Sequence, residues 1–347
     1  MKRISIVFIC ILLFLVIFFL LNLVLGSVSI PFDEVCDILL RRDIEHENQV
    51  WKNIIFKSRF PQTITAIFAG AGLSISGLQM QTVFRNPLAG PSELGISSGA
   101  SLGVASILLL SGSIAGKTLH SVGLMGELAI SSAAIIGALF VMMIIITVSR
   151  YVKGNVTLRI IGVMIGYIAT AIIGVLKFFS TDEDVKGYVI WGLGSFSKIS
   201  GGNIVPFVIA MSLVIPFSFL LIKRLNLMLL GEQYAANLGL DVKKSRIYVI
   251  VCSCVLTAIV TAYCGPIVFL GLAVPHLCRT LFASSDHRIL VPAVTLTGAL
   301  LAMICNLVAR MPGMEGALPI NSVTALIGAP IVISVLFGKQ KKEAYYE

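Results

Sequence analysis

Residues 4–32 contain no charged side chain, and comparable apolar runs recur to the far end of the chain. An α-helix rises about 1.5 Å per residue, so about 20 apolar residues cross the hydrocarbon core of a bilayer. The first run follows Met1-Lys2-Arg3, as a secretory signal would. It exceeds the roughly 7–15 residues of a signal's apolar core and reads as a retained transmembrane helix. Spans are expected at 4–26, 62–83, 93–112, 121–148, 156–179, 204–222, 247–266, 290–309 and 320–337. The uncharged stretch Ile247–Cys278 is too long for one pass. Cys264-Gly265-Pro266 can break it, leaving a short tenth span at 267–283. Another apolar piece, 188–199, is too short to cross and reads as a surface or re-entrant helix. The expected fold class is therefore an all-α polytopic membrane protein with about ten transmembrane helices, and 1–347 reads as a single transmembrane domain.

Composition excludes the main alternatives. Hydrophobic residues make up 57% of the chain and charged residues 12%, whereas soluble domains carry about 25% charged residues. A net charge of +9 in a soluble domain would suggest nucleic acid, but here the basic residues fall in short gaps between apolar runs. That is the pattern of topology signals, and no nucleic-acid partner is expected. Ten spans place both termini on one side. With the termini cytoplasmic, 16 of the 26 Lys and Arg lie inside, among them Lys223, Arg224, Lys243, Lys244, Arg159 and Arg246. Acids such as Asp33, Glu34 and Asp182-Glu183-Asp184 then lie outside. The longest outside loop is 27–60 and the longest inside loop is 223–246, where Glu232–Gly239 reads as a short surface helix closed by a glycine cap.

Enzyme and metal motifs are missing. Neither HExxH nor GxSxG occurs. Gly116-Lys117-Thr118 resembles the end of a phosphate loop, but the required preceding glycine is Ser111 and the segment falls in an expected outside loop. His46, His120, His276 and His287 have no metal-ligand spacing, and the seven Cys form no CxxC pair. No cofactor or metal is expected. Glu127, Lys177 and Arg279 lie near span ends, where long side chains snorkel to the interface, and read as structural. The small-residue stretches 69–77 and 95–103, and the pair Gly162 and Gly166, suit close helix packing. Arg85-Asn86-Pro87-Leu88-Ala89-Gly90-Pro91 is different. It imposes irregular backbone at membrane depth, which is tolerated only when buried in protein or lining a cavity, and it suggests a gate or pathway element.

At these residues the chain resembles a known family. Arg59-Phe60-Pro61, Gly70-Ala71-Gly72, Ser76-Gly77, Gln79, Arg85–Pro91, Leu94-Gly95 and Ser98-Gly99-Ala100 are similar to permeases of bacterial ABC importers for iron–siderophore complexes, haem and cobalamin. So are Gly231-Glu232 with Ala235 and Leu238-Gly239-Leu240. The same holds for Gly265–Leu272 with Pro275-His276, Arg279, Asp286-His287-Arg288 and Pro292, then Leu318-Pro319-Ile320 and Gly328-Ala329-Pro330. The resemblance covers nearly the whole chain.

It implies a cobalamin-permease-like fold of ten helices in the bacterial cytoplasmic membrane, with a second permease copy alongside. Two separate ATPase subunits would bind inside, and a periplasmic or lipid-anchored binding protein would deliver substrate from outside. It further implies that Gly231, Glu232, Ala235, Leu238, Gly239 and Leu240 couple to the ATPase. Asn86 and Leu88 fall where the family places a cytoplasmic gate, and Thr157 falls near a second gate element. Arg59 and Arg310 match outward arginines that receive acidic residues of the binding protein. The family often reads Arg-x-Pro-Arg, but here the second arginine is Gln62, which leaves two alternatives: one ion pair per side is missing, or Lys57 substitutes. The implied activity is import of an iron chelate, either ferric siderophore or haem, with cobalamin as the alternative within the family. An ion-coupled secondary carrier is the alternative from another class.

Overall fold

The computed structural model describes residues 2–26, 28, 30–39, 49–115, 124–152, 155–199, 204–310 and 317–343. They form helices and connecting turns, with no strand among the described residues. In chain order the elements are α1 (Lys2–Val24), α2 (Phe32–Leu39), α3 (Gln49–Ile54), a π-helical turn (Ile55–Arg59), α4 (Phe60–Val83), a 3-10 turn (Pro91–Leu94) and α5 (Ile96–Ala115). There follow α6 (Leu124–Tyr151), α7 (Asn155–Phe178), α8 (Asp182–Gly192), α9 (Ile204–Leu220), α10 (Ile222–Leu229) and α11 (Glu232–Asn237). The chain ends with α12 (Val242–Cys264), α13 (Phe269–Phe282), α14 (His287–Ala309) and α15 (Ile320–Glu343).

Six of these stretches are long and apolar enough to cross a membrane, and α9 with α10 makes a seventh, bent by 47°. Three shorter apolar helices, in α5, α13 and α15, bring the set to the ten expected passes. The break in the long uncharged stretch falls where the sequence places it. α12 stops at Cys264, and Gly265 takes φ +79°, a left-handed value that a side chain resists. α13 then has only 14 residues, about 21 Å of helix, too short to cross alone.

Helices occupy much of the described part of the two longest expected loops. The outer half of 27–60 is not a loop to its end. Residues 49–59 are helical and run straight into α4, giving a continuous helical stretch of 35 residues from Gln49 to Val83. The helix forms because this stretch holds no glycine or proline before Pro61, and proline is tolerated at the first turn of α4. The inside loop 223–246 is also mostly helical, divided between α10, α11 and the first turn of α12. Segment 188–199 does not cross. It holds the end of α8 and a turn whose backbone ties three elements together, through Ser195 N–H to Cys264 O (2.8 Å), Ile320 N–H to Gly194 O and Asn321 N–H to Leu193 O (both 3.3 Å). Gly116-Lys117-Thr118, His46 and His120 lie outside the described residues.

α4 runs through the centre. Its backbone meets α13 so closely that a Cβ on Gly77 would lie 1.8 Å from Gly271 O. Its Ser76 hydroxyl is spent on a neighbour, with Oγ reaching Ser253 Oγ at 2.5 Å and Thr257 Oγ1 at 2.8 Å, both on α12. In lipid such pairings remove polar groups from a medium that offers them no partner.

Candidate functional site

The basic end of the bundle, which holds residues 84–91, α10 and α11, brings most of the expected residues together. α4 stops where Arg85 adopts φ +47°, a conformation uncommon outside glycine. Asn86 then folds the turn: its Oδ1 accepts the Leu88 N–H at 2.9 Å, the local bonding that favours Asn in turns. Leu88 is left 39% exposed. The Arg85 guanidinium reaches across to donate to Met228 O at the end of α10 (3.1 Å), and a Cβ on Gly231 would lie 3.0 Å from its Nη2. The irregular loop and the α10–α11 segment are thus fastened to each other.

A second fastening lies alongside. Asn226 of α10 donates to the Asp286 carboxylate (2.6 Å) and accepts from both the backbone N–H and Nδ1 of His287 (each 2.8 Å). The other ring nitrogen of His287 shares a hydrogen bond with Thr82 Oγ1 in the last turn of α4 (2.8 Å). Asp286 also caps α14 by accepting the Arg288 N–H. That backbone bond first, and then the Asn226 amide, hold its carboxyl below the usual range. One amide on α10 therefore holds the start of α14 and, through the His287 ring, is linked to the end of α4.

α11 ends in a glycine cap, with Gly239 at φ +84°. Gly239 N–H bonds Ala236 O and Leu240 N–H bonds Ala235 O, which together satisfy the last carbonyls of the helix. Ala235 is buried, whereas Leu230 (57%), Tyr234 (63%) and Leu238 (56%) are exposed on a segment rich in basic neighbours. Glu232 pairs with Arg246 of α12 and draws α11 down onto the bundle.

Thr157 stands exposed on the first turn of α7. Two residues on, Arg159 pairs with Glu93 of the 3-10 turn at 2.5 Å. The same turn packs on α7 backbone to backbone: a Cβ on Gly162 would lie 2.7 Å from Glu93 O. Residues 90–95 therefore re-enter alongside α7, and the glycine pair 162 and 166 serves this contact. Arg159 is an ion-pair partner rather than only a topology signal.

At the far end the two arginines turn inward. Arg59 is 3% exposed. It donates to Leu23 O and Val24 O (both 2.7 Å) and to Val28 O, the carbonyls left over where α1 ends. Arg59, expected to face outward, is buried in this chain against these carbonyls. Arg310 is half-buried and donates to Asn22 O (3.3 Å), Asn22 Oδ1 (3.0 Å) and Asn306 O (3.4 Å). Burial first, and then the neighbouring Arg59 charge, bring the Arg310 guanidinium down to about 10. Lys57 remains exposed, and Gln62 is buried with its Nε2 on Ser58 Oγ at 3.0 Å. No cluster of side chains able to hold a metal occurs among the described residues.

Sequence reasoning did not single out Glu93 or Asn226. A lone acid in one apolar run and a lone arginine in another were the available signal for the Glu93–Arg159 pair, since intramembrane charges come paired. Asn226 carried no signal, because its partners lie 60 and 61 residues away.

The comparisons with known proteins agree with this architecture. The model of the FecCD transport family matches residues 13–338. A hemin transport system permease of Yersinia pestis is 32% identical, over 96% of each chain. A vitamin B12 import system permease of Klebsiella pneumoniae is 35% identical, over 81% of this chain and 82% of its own. An ABC transporter permease of Methanocaldococcus jannaschii is 32% identical, over 94% of this chain and 97% of its own. A solved structure described as an inward-facing conformation of a metal-chelate type ABC transporter superposes with TM-score 0.82 at 28% identity, covering 96% of this chain and 99% of that one. The chain, a multi-pass membrane protein whose irregular loop and short helices are fastened at one end of its bundle, belongs to the FecCD transport family of ABC importer permeases.

Proposed function

We propose that this chain is the membrane-spanning subunit of an ATP-driven importer for an iron chelate, either a ferric siderophore or haem, with no ATPase activity of its own. The observation that carries the reading is the α10–α11 segment. It exposes Tyr234 and Leu238 to a partner while Arg85 and Asn226 fasten it to the irregular loop and to α4 and α14. A push on α10 and α11 by an ATPase would be transmitted to the loop at Asn86 and Leu88 and, through the bundle, to α7 at Thr157. Two ATPase subunits, a second permease copy (identical or a sister chain) and a periplasmic or lipid-anchored binding protein complete the assembly. It lies in the bacterial cytoplasmic membrane with both termini inside, and 1–347 forms one permease domain. Gly231, Glu232, Ala235, Leu238, Gly239 and Leu240 shape the ATPase contact. Lys57 and Arg310 offer the binding protein its positive charge, and Arg59 holds the end of α1 beneath them. Charge pairing at that face steers and orients the encounter.

The test is uptake into proteoliposomes holding this chain with its co-encoded ATPase, the co-encoded binding protein outside and ATP inside. Ferric siderophores, haem and cobalamin are offered in parallel. ATP-dependent uptake of an iron chelate is expected. Uptake of cobalamin alone moves the chain to the vitamin branch, and uptake driven by an ion gradient without ATP overturns the importer reading.

A further inference from the structure

A cleft of about 420 Å³ lies between α5, α7, α8 and the break that separates α12 from α13. Three serines of α5 line it, Ser97, Ser98 and Ser101, together with Thr170 and Lys177 of α7 and Tyr188 of α8. On a helix, positions three and four apart share a face, so the serines form one row. Thr170 and Lys177 lie two turns apart on one face of α7, about 10 Å along its axis. Hydroxyl groups thus run along the cleft, and a cation stands at one end. Pro266, from the break in the long uncharged stretch, closes another wall.

The cation is held in place. Lys177 Nζ lies 4.6 Å from the centre of the Tyr188 ring. An aromatic face orients an ammonium without neutralising it. Among the described residues that line the cleft, none is acidic. Glu93, which follows the lining residue Ser92, is paired with Arg159.

We propose that this cleft is a contact site on the translocation path for a net-negative, oxygen-rich ferric chelate. Lys177 pairs with carboxylate or catecholate oxygens of the chelate, and the hydroxyl row with its amide and hydroxyl groups. The inference rests on the importer reading and narrows its substrate class. An electrically neutral ligand makes no use of the cation.

The test uses the assembled complex with its ATPase in lipid nanodiscs. Thr170→Cys is placed in a background where Cys10 and Cys36, which are not buried, are serine. Rates of modification by an anionic sulfonatoethyl and a cationic trimethylammonioethyl methanethiosulfonate are compared. The anionic reagent is expected to react several-fold faster, with the preference lost in Lys177→Gln and restored in Lys177→Arg. In proteoliposomes, Lys177→Gln is expected to raise KM several-fold for a negatively charged tricatecholate ferric chelate at unchanged kcat. Uptake of a neutral trihydroxamate ferric chelate should not change. A reagent preference that survives Lys177→Gln, or wild-type uptake confined to neutral chelates, overturns the assignment of the cleft and leaves the importer reading standing. Absence of ATP-dependent uptake of every chelate by the wild type overturns the importer reading itself. The reagent preference then still decides whether the cleft favours anions.

Discussion

α4 and α7 both cross the bundle, and they are built in opposite ways. Over an apolar run of 18 consecutive residues in the stretch holding α4, 83% are buried, against 17% for such a run in α7. α4 is nevertheless the more polar helix. Thr63, Thr65, Ser74, Ser76, Gln79, Gln81 and Thr82 are all buried within it. α7 turns Val156, Ile160, Tyr167, Ile168 and Val175 outward, each more than half exposed. In water this would be an inverted pair. In lipid the apolar helix faces the hydrocarbon at no cost, and the helix with hydroxyls and glycines goes inside, where close backbones and hydrogen bonds hold it. The difference teaches that hydropathy marks where a helix of this protein meets lipid, whereas small and polar residues mark where it meets protein.

Substitutions in the two helices should therefore differ sharply. The largest effect is expected for Gly77→Leu in α4. Its Cβ would collide with the backbone oxygen of Gly271, which cannot rotate away, at a cost expected to exceed about 4 kcal/mol. Folded complex should be lost on size-exclusion chromatography. Wild-type yield from this variant would break the contrast.

Next comes Arg85→Ala, at the end of α4. On the importer reading, uptake should fall by about 5–150-fold, the range of a lost coupling of 1–3 kcal/mol, while basal ATP hydrolysis persists. Equal loss of both activities would mean that Arg85 only supports the fold. Thr82→Val removes the hydroxyl facing His287 and should lower stability by about 1–3 kcal/mol, because the ring nitrogen is left buried without that partner. Thermal denaturation of the purified complex measures it. The smallest effect belongs to α7: Ile168→Ala, at a side chain 61% exposed, should change stability by less than about 0.5 kcal/mol. A loss as large as that of Thr82→Val would show that this face of α7 packs against protein in the assembly.

What was legible in the sequence depended on how local its cause was. The break after Cys264 and the cap at Gly239 each follow from one glycine whose backbone angle no neighbour needs to explain. The irregular loop was legible for the same reason, since Asn86 folds it with its own side chain. Six or seven passes could be counted because lipid sets a minimum length for an apolar run, and the three shorter helices showed only as apolar pieces. The inward turn of Arg59 could not be read. Its acceptors lie 31–36 residues upstream and become available only where α1 happens to end. The fastening of α10 was hidden likewise, because Asn226 looks like any polar residue in a basic segment until α14 is placed beside it. For Lys177, position near a span end suggested a route to solvent. Only the fold sets Tyr188 under the ammonium.

Asn22 ties the first helix to the last third of the chain. It donates to Met303 O at 3.1 Å and accepts from Asn306 Nδ2 at 2.9 Å, across 281 and 284 residues. During synthesis α1 enters the bilayer long before those partners exist. At about 5–20 residues per second, the wait is on the order of 14–56 s. For that time a carboxamide near the end of α1 has only its own helix and the interfacial water to bond, through contacts such as Phe18 O at 2.8 Å. The Asn22 tie is thus among the last contacts of α1 to form, long after Arg59 has reached the Leu23 and Val24 carbonyls at its end.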